Sequence, residues 1–290
     1  MSPLVARVRL AEAIKTLRGQ SGLDTQGRLG AKAGISRQEV NRLENPLENL
    51  TRNPDAGDIR SILLACNLDE DQPEHRVIMS WAWSAREPGW WSSRSYREMG
   101  HQQQVIAIAE TYTSVIQEYQ VQIIPGLMQT EQYAHYRAGM SPEPGSTVDG
   151  IVRGRLRRQQ ILAEVNRYEV VLEELAVRRV TAAPVKVMRD QLLHLLDLAE
   201  RPNISIRVMP VGAPTAPGRA PTSPFSLYRY PDRDEPEMAV VDSVRSNDIL
   251  VEPAIVREQA QLLTRLREAA LSDADSAAFI RDAANALAAQ

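Results

Sequence analysis

Five polar residues, Ser36, Arg37, Gln38, Asn41 and Arg42, stand within seven positions, interleaved with the apolar Val40 and Leu43. These residue types suit the edges and backbone of a DNA duplex. An arginine forks onto guanine, glutamine and asparagine onto adenine, and either arginine can instead hold a phosphate. On a helix, Val40 and Leu43 share one face and leave the polar five on the rest of the surface. Ten residues upstream, Thr25 and Gln26 open another short helical stretch, where Gln26 would meet a phosphate at the positive end of the helix.

The elements that must position them are legible in the same segment, Asp24 to Asn45. Thr25 is a helix cap, Leu29 and Ala33 lie four apart on one face, and Gly30 permits a close helix crossing. Gly34 supplies the turn, because a positive φ is cheap only for glycine. Ser36 followed by Glu39 is a capping box that fixes where the second helix starts. The spacing predicts a helix-turn-helix with a recognition helix over 36–45 in the major groove, and with Thr25, Gln26, Ser36, Arg37, Gln38, Asn41 and Arg42 as DNA-contacting residues.

The segment also resembles the XRE family of phage-repressor-like regulators. The matching residues are Leu17-Arg18, Leu23-Asp24-Thr25-Gln26, Ala33-Gly34-Ile35-Ser36-Arg37 and Arg42-Leu43-Glu44. The resemblance implies phosphate contacts from Thr25 and Gln26 and groove contacts from Arg37, Gln38 and Asn41. Two departures are Gly27-Arg28, where acidic residues are usual, and Asn45-Pro46, which replaces the usual glycine.

Whole-chain properties bound the reading. The 290 residues are enough for two domains, and 43% hydrophobic with 24% charged residues is a globular composition. Residues 1 to 65 carry ten Lys/Arg against seven Asp/Glu, whereas the whole chain has a net charge of −3. The positive excess therefore sits at the expected DNA end, but it is small. Tight binding then calls for dimerisation together with base contacts. No stretch reads as a signal peptide or an apolar span, so the expected location is cytoplasmic, with no membrane partner. Cys66 stands alone in ILLACNL and reads as a packed helix position.

The expected fold class is mainly α: an N-terminal helix-turn-helix bundle followed by an α+β domain with a small sheet. The expected domains are 1–72 for DNA binding, a linker helix over 73–89, and 90–290 for regulation and dimerisation. Asp58 is the expected cap of the helix after the recognition helix. In the larger domain, helices are predicted over 103–119, 130–139, 147–166, 185–199 and 253–271, with a capping box at Ser272 and Asp275 opening a last one. Strands are predicted over 168–172, 204–210, 225–230 and 238–241. The segment 210–224 holds five prolines and reads as an extended connector.

The second domain carries its own resemblance. Ile124-Pro125-Gly126-Leu127-Met128-Gln129-Thr130-Glu131-Gln132-Tyr133-Ala134 looks like a signature of one family of actinobacterial regulators. Trp90-Trp91, Arg157-Arg158-Gln159, Val171-Leu172-Glu173-Glu174, Gln191-Leu192, Pro202-Asn203-Ile204 and Phe225-Ser226-Leu227 match the same family in order. That family joins an XRE helix-turn-helix to a large C-terminal domain of uncharacterised function and is described as antitoxin-like. What it implies is a transcriptional regulator, in that family often paired with a small protein encoded by the adjacent gene.

Candidate ligand or partner residues are Trp90, Trp91, Gln129, Tyr133, Arg153 and Arg157. The clustered indoles suit packing or a ligand wall. Arg153 and Arg157 share one helix face and Arg155 and Arg158 another, so an anion could be gripped. The plainer reading is a solvated face paired with Glu164, Glu173 or Glu174. His75, His101, His135 and His194 are scattered, and neither a P-loop nor G-x-S-x-G occurs. No metal, cofactor or enzymatic activity is expected.

These readings converge on a homodimeric, sequence-specific transcriptional regulator on an inverted-repeat operator, whose larger domain dimerises and senses a small-molecule effector or a partner. The alternative is an antitoxin-like protein that sequesters a small partner and autoregulates its own promoter.

Overall fold

The computed structural model describes residues 2–48, 50, 52–86, 89–140, 144–178, 183–213, 223–231, 237–242 and 247–288. Two compact units follow one another, Met1–Ser93 and Arg94–Gln290.

In the first unit α1, Pro3–Gln20, starts at Ser2, whose hydroxyl accepts from the Leu4 amide at 3.2 Å. The helices α2, Gln26–Ala33, and α3, Arg37–Glu44, span eight residues each. Helices so short do not persist alone in water, so packing must hold them. That packing comes from α4, Ala56–Ala65, α5, Pro73–Ser84, and α1, which share one core with Leu29, Val40 and Leu43. Ile14, Ile59, Ile62 and Leu63 are its fully buried centre.

Two sequence expectations change here. Asp55, not Asp58, caps α4: its Oδ1 accepts from the amides of Gly57 at 2.8 Å and Asp58 at 3.1 Å. The helix expected as a linker over 73–89 instead belongs to the first unit. Ile78 and Ala82, four apart on α5, are buried in its core, and the unit extends to Ser93 with Trp90 and Trp91.

The second unit opens with α6, His101–Glu110, and continues through β1, Val115–Gln120, α7, Glu131–Met140, and α8, Val148–Arg158. Next come β2, Arg167–Glu173, α9, Glu174–Arg178, α10, Val185–Ala199, and β3, Ile204–Met209. The chain then adds β4, Phe225–Arg229, β5, Met238–Asp242, β6, Asn247–Leu250, α11, Pro253–Ala269, and α12, Asp273–Ala288. The strands form one sheet in the order β3-β2-β1-β4-β5-β6. Strands β1, β2 and β3 are parallel, and β4, β5 and β6 extend the sheet in antiparallel pairs. A helical first unit thus precedes an α+β unit.

The helix expected over 103–119 ends early. The chain leaves α6 at Thr111, Tyr112 takes a left-handed φ of 62°, and β1 begins three residues later. Strand β6, like β1, is not predicted by the sequence pattern. The four strands that the sequence predicts are present, each within two residues of the expected bounds. The Ser272 hydroxyl caps α12, accepting from the Asp275 amide at 3.1 Å.

Alternation along the strands gives the sheet two faces. Tyr119, Val171, Phe225, Leu227 and Ala239 pack against Val256, Leu263 and Leu266 of α11. The other face carries Glu118, Gln120, Ser226 and Tyr228 toward α6 and α8. No helix among the described residues is long and apolar enough to cross a membrane. Of the proline-rich segment, residues 214–222 lie outside the described residues.

Candidate functional site

The first candidate surface lies on α2 and α3. Thr25 accepts from the Arg28 amide at 3.2 Å, which fixes the start of α2. Gly34 takes φ 73° and its amide closes on the Gly30 carbonyl, so the chain turns within three residues. A methyl group at Gly30 would lie 2.8 Å from the Ile35 carbonyl oxygen. The close crossing therefore requires glycine. Ser36 accepts from the Glu39 amide at 3.1 Å. The reciprocal half of the expected capping box is missing, because the Glu39 carboxylate pairs with Arg42 and, at 3.6 Å, with Arg52.

The structure sorts the seven candidate residues. Thr25, Ser36, Arg37, Gln38 and Asn41 are exposed, with Asn41 Oδ1 accepting from the Asn45 amide group at 3.0 Å. Gln26 is turned inward and donates to Glu44 at 2.8 Å. Arg42 is turned inward too: besides Glu39, it donates to the carbonyls of Arg52 at 3.3 Å and Asn53 at 3.4 Å. With Arg7, which donates to Ala85 and Asn53, it ties the loop after α3 to the bundle. Arg42 is thus a structural arginine. Arg52, unremarked in the sequence, is exposed and lines the same concave surface as Ser36, Gln38 and Asn41.

One buried carboxylate organises this unit. Glu44 is 1% exposed and accepts from Arg18 Nε at 2.6 Å and from Gln26. It therefore joins α1, α2 and α3 at one point.

The second candidate is a cleft of about 350 Å³ in the larger unit. Its floor is the polar face of the sheet, and its wall comes from α6, α7, α8 and the turn at Gly126. Arg158 crosses the wall and grips Glu110 with two bonds, Nε at 2.9 Å and Nη2 at 2.6 Å. Arg155 donates to Gln129 Oε1 at 2.5 Å, and its Nε is buried with no hydrogen-bond partner. Burial, then the neighbouring Arg158 and Arg137, lower its pKa to about 10, so it stays cationic at neutral pH.

On the floor Glu118 accepts from Tyr168 at 2.5 Å and Ser226 at 3.3 Å. Burial pushes its carboxyl up to about 7, with Asp242 and Glu110 adding to the rise against the Tyr168 hydrogen bond. Asp242 is likewise raised to about 6 by burial. Gln120 Oε1 is buried without a partner.

The sequence candidates divide across this geometry. Gln129 lines the cleft, donates to the Ile124 carbonyl at 2.7 Å and accepts from Arg155. Tyr133 is fully buried beside it. Arg153 is exposed and pairs with Glu98 at 3.6 Å, and neither it nor Arg157 lines the cleft. The reading of the arginine run as a solvated face is therefore corrected for Arg155 and Arg158, which face inward. Trp90 and Trp91 meet edge to face at 6.2 Å in the first unit, and neither is among the residues that line the cleft.

One sequence signal marks the inward face of α8. Gly150 and Gly154 lie four apart, and a methyl on either would collide with Glu98 or Met99. Arg158 continues that same four-residue step, and Arg155 stands next to it on the arc. Glu118, Gln120 and Asp242 carry no comparable signal. The described residues contain no group of three His, Cys, Asp or Glu that could hold a metal.

Fold and cleft together define the second unit as an α+β domain whose polar cavity lies between a mixed sheet and its helical cover. Residues 103–282 match the family described as Domain of unknown function (DUF5753), and the chain belongs to that family. The match falls on the large C-terminal domain that the family resemblance implied. No curated protein and no solved structure matches the chain.

Proposed function

We propose that the chain is a sequence-specific DNA-binding transcriptional regulator of the XRE type. Its recognition helix, 36–45, enters the major groove, and its second unit provides dimerisation and effector or partner sensing. The observation that carries this reading is the exposed row Ser36, Arg37, Gln38 and Asn41 on a helix locked against α2 by the Gly30–Ile35 crossing. A rigid helix with its polar face free is what groove reading needs. Arg37 and Arg52 supply charge for phosphate or guanine, and Gln38 and Asn41 supply the paired donor and acceptor that adenine presents for.

One unit of this kind covers one half-site, so the operator is an inverted repeat read by a homodimer, with half-sites about 34 Å or a multiple apart. Sequencing the DNA bound by the protein in cells, followed by anisotropy titration of the recovered site, tests the reading. A recurring inverted repeat is the expected result. Random recovery, with equal affinity for scrambled duplex, sinks it.

A further inference from the structure

We propose that the cleft of the second unit binds a small zwitterion, with an anionic group against Arg155 and Arg137 and an ammonium group toward Glu118 and Asp242. The proposal deepens the effector-sensing part of the function above. It does not rest on DNA binding.

The argument is the segregation of charge inside one cavity. Arg155 and Arg137 stand close enough to repel each other, and neither has a carboxylate partner among the described residues. Glu118 and Asp242 also repel each other, and their side-chain hydrogen bonds run to tyrosine, serine and glutamine. The cations stand on the wall and the carboxylates on the floor of one cleft, and among the described residues no ion pair joins Arg137 or Arg155 to Glu118 or Asp242. Arg158, locked onto Glu110, is near enough to Glu118 and Asp242 to favour their ionised forms, whereas Arg155 and Arg137 face no such counter-charge.

Two residues of the lining also carry unsatisfied atoms: Arg155 Nε is a donor and Gln120 Oε1 an acceptor, each shielded from solvent without a hydrogen-bond partner. A small turn of either side chain toward a ligand with an acceptor at one end and a donor at the other would satisfy it.

Charge selects the class. A dianion would suit the arginines and be repelled by the carboxylates, and a diamine the reverse. A molecule with both charges satisfies both walls. A volume of about 350 Å³ is at the small end of ligand cavities and fits an amino acid or short peptide.

The test uses the full chain at pH 8, without DNA, by titration calorimetry. The probes are the common free amino acids, glycyl dipeptides and phosphoethanolamine, with succinate, phosphate and putrescine as controls that carry charge of one sign only. At least one zwitterion should bind saturably at one site per chain, and the controls at least tenfold more weakly. Arg137→Gln and Asp242→Asn should each weaken that zwitterion at least tenfold while leaving the circular dichroism spectrum unchanged. Arg137 is only partly buried, so its replacement keeps the test valid if an inner variant fails to fold. Binding by no zwitterion in the panel overturns the proposal. Succinate or phosphate binding as tightly, with no effect of Asp242→Asn, also overturns it and leaves a plain anion site. Because operator binding is measured separately, neither outcome is confused with failure of the DNA reading.

Discussion

Arg158 and Glu110 form a two-pronged ion pair inside the second unit, 8% and 4% exposed, that ties α8 to the end of α6. Removing one member strands the other charge, at a cost of about 3–5 kcal/mol, whereas replacing both with apolar residues of similar volume is often neutral. Glu110→Gln should therefore lower the urea stability of the unit far more than the double change Glu110→Leu with Arg158→Met. Equal losses for single and double variants would show that packing, not charge compensation, sets the effect.

The Gly30–Ile35 crossing predicts a loss that transmits from stability to binding. Gly30→Ala places a methyl 2.8 Å from a carbonyl oxygen and should cost about 1–3 kcal/mol. Because α3 must shift to relieve it, operator affinity should fall as well. Gly27→Ala, on the same helix with only a distant neighbour at 3.9 Å, should instead stabilise by about 0.5–1 kcal/mol. Thermal unfolding of the two variants distinguishes these signs.

The two arginines of α3 should behave differently in salt titrations. Arg37→Ala should weaken binding to all sequences and reduce the slope of log K against log salt by about 1. Arg42 is committed to Glu39 and to the loop carbonyls, so Arg42→Ala should lower thermal stability and leave that slope unchanged. Gln38→Ala or Asn41→Ala should cost roughly 1–3 kcal/mol at one base position only. Unaltered sequence preference in both would remove the recognition-helix assignment.

The floor of the cleft predicts a pH dependence. Glu118 faces Tyr168 on β2, Ser226 and Tyr228 on β4, and Asp242 on β5, with Glu110 and Arg158 beyond. Its carboxyl rises from 4.5 to about 7, and that of Asp242 from 3.8 to about 6. Between the lower and upper values the folded chain holds more protons than the unfolded chain. The stability these groups contribute is complete below about 4 and is lost as pH rises through 6 and 7, roughly 3 kcal/mol for Glu118 alone. Urea midpoints of the full chain should fall between pH 5 and pH 8, and Glu118→Gln should flatten the fall. A wild-type profile that Glu118→Gln leaves unchanged would contradict this account.

Much of the local structure was legible where one principle acted alone. The turn glycine Gly34, the caps Thr25, Ser36 and Ser272, and the apolar runs that became β2, β3, β4 and β5 follow from conformational preference and alternation. The misses come from tertiary context. Strand β1 is central and covered on both faces, so Val115, Ile116, Glu118, Tyr119 and Gln120 are all buried and no alternation survives. Without alternation, the run reads in the sequence as a continuation of the preceding helix. The same strand holds two of the polar residues that line the cleft, Glu118 and Gln120, so the cleft is not legible in the sequence either.

The choice among arginines illustrates the remaining gap. Spacing correctly divided the run into two faces, 153 with 157 and 155 with 158. Which face turns inward depends on Glu98 and Met99, some fifty residues upstream, meeting Gly150 and Gly154. Likewise, Arg42 reads as a groove contact until the loop at Arg52 and Asn53 folds back onto it.

The position of β1 also has a consequence for synthesis. It pairs with β2 on one side, but the residues for its other side, Phe225 to Arg229, emerge from the ribosome more than a hundred residues later. Until then a strand bearing Val115, Ile116 and Tyr119 has an open edge, which can template association with another nascent chain. Fragments that stop before β4 should aggregate for that reason, while those that extend past it should stay dispersed.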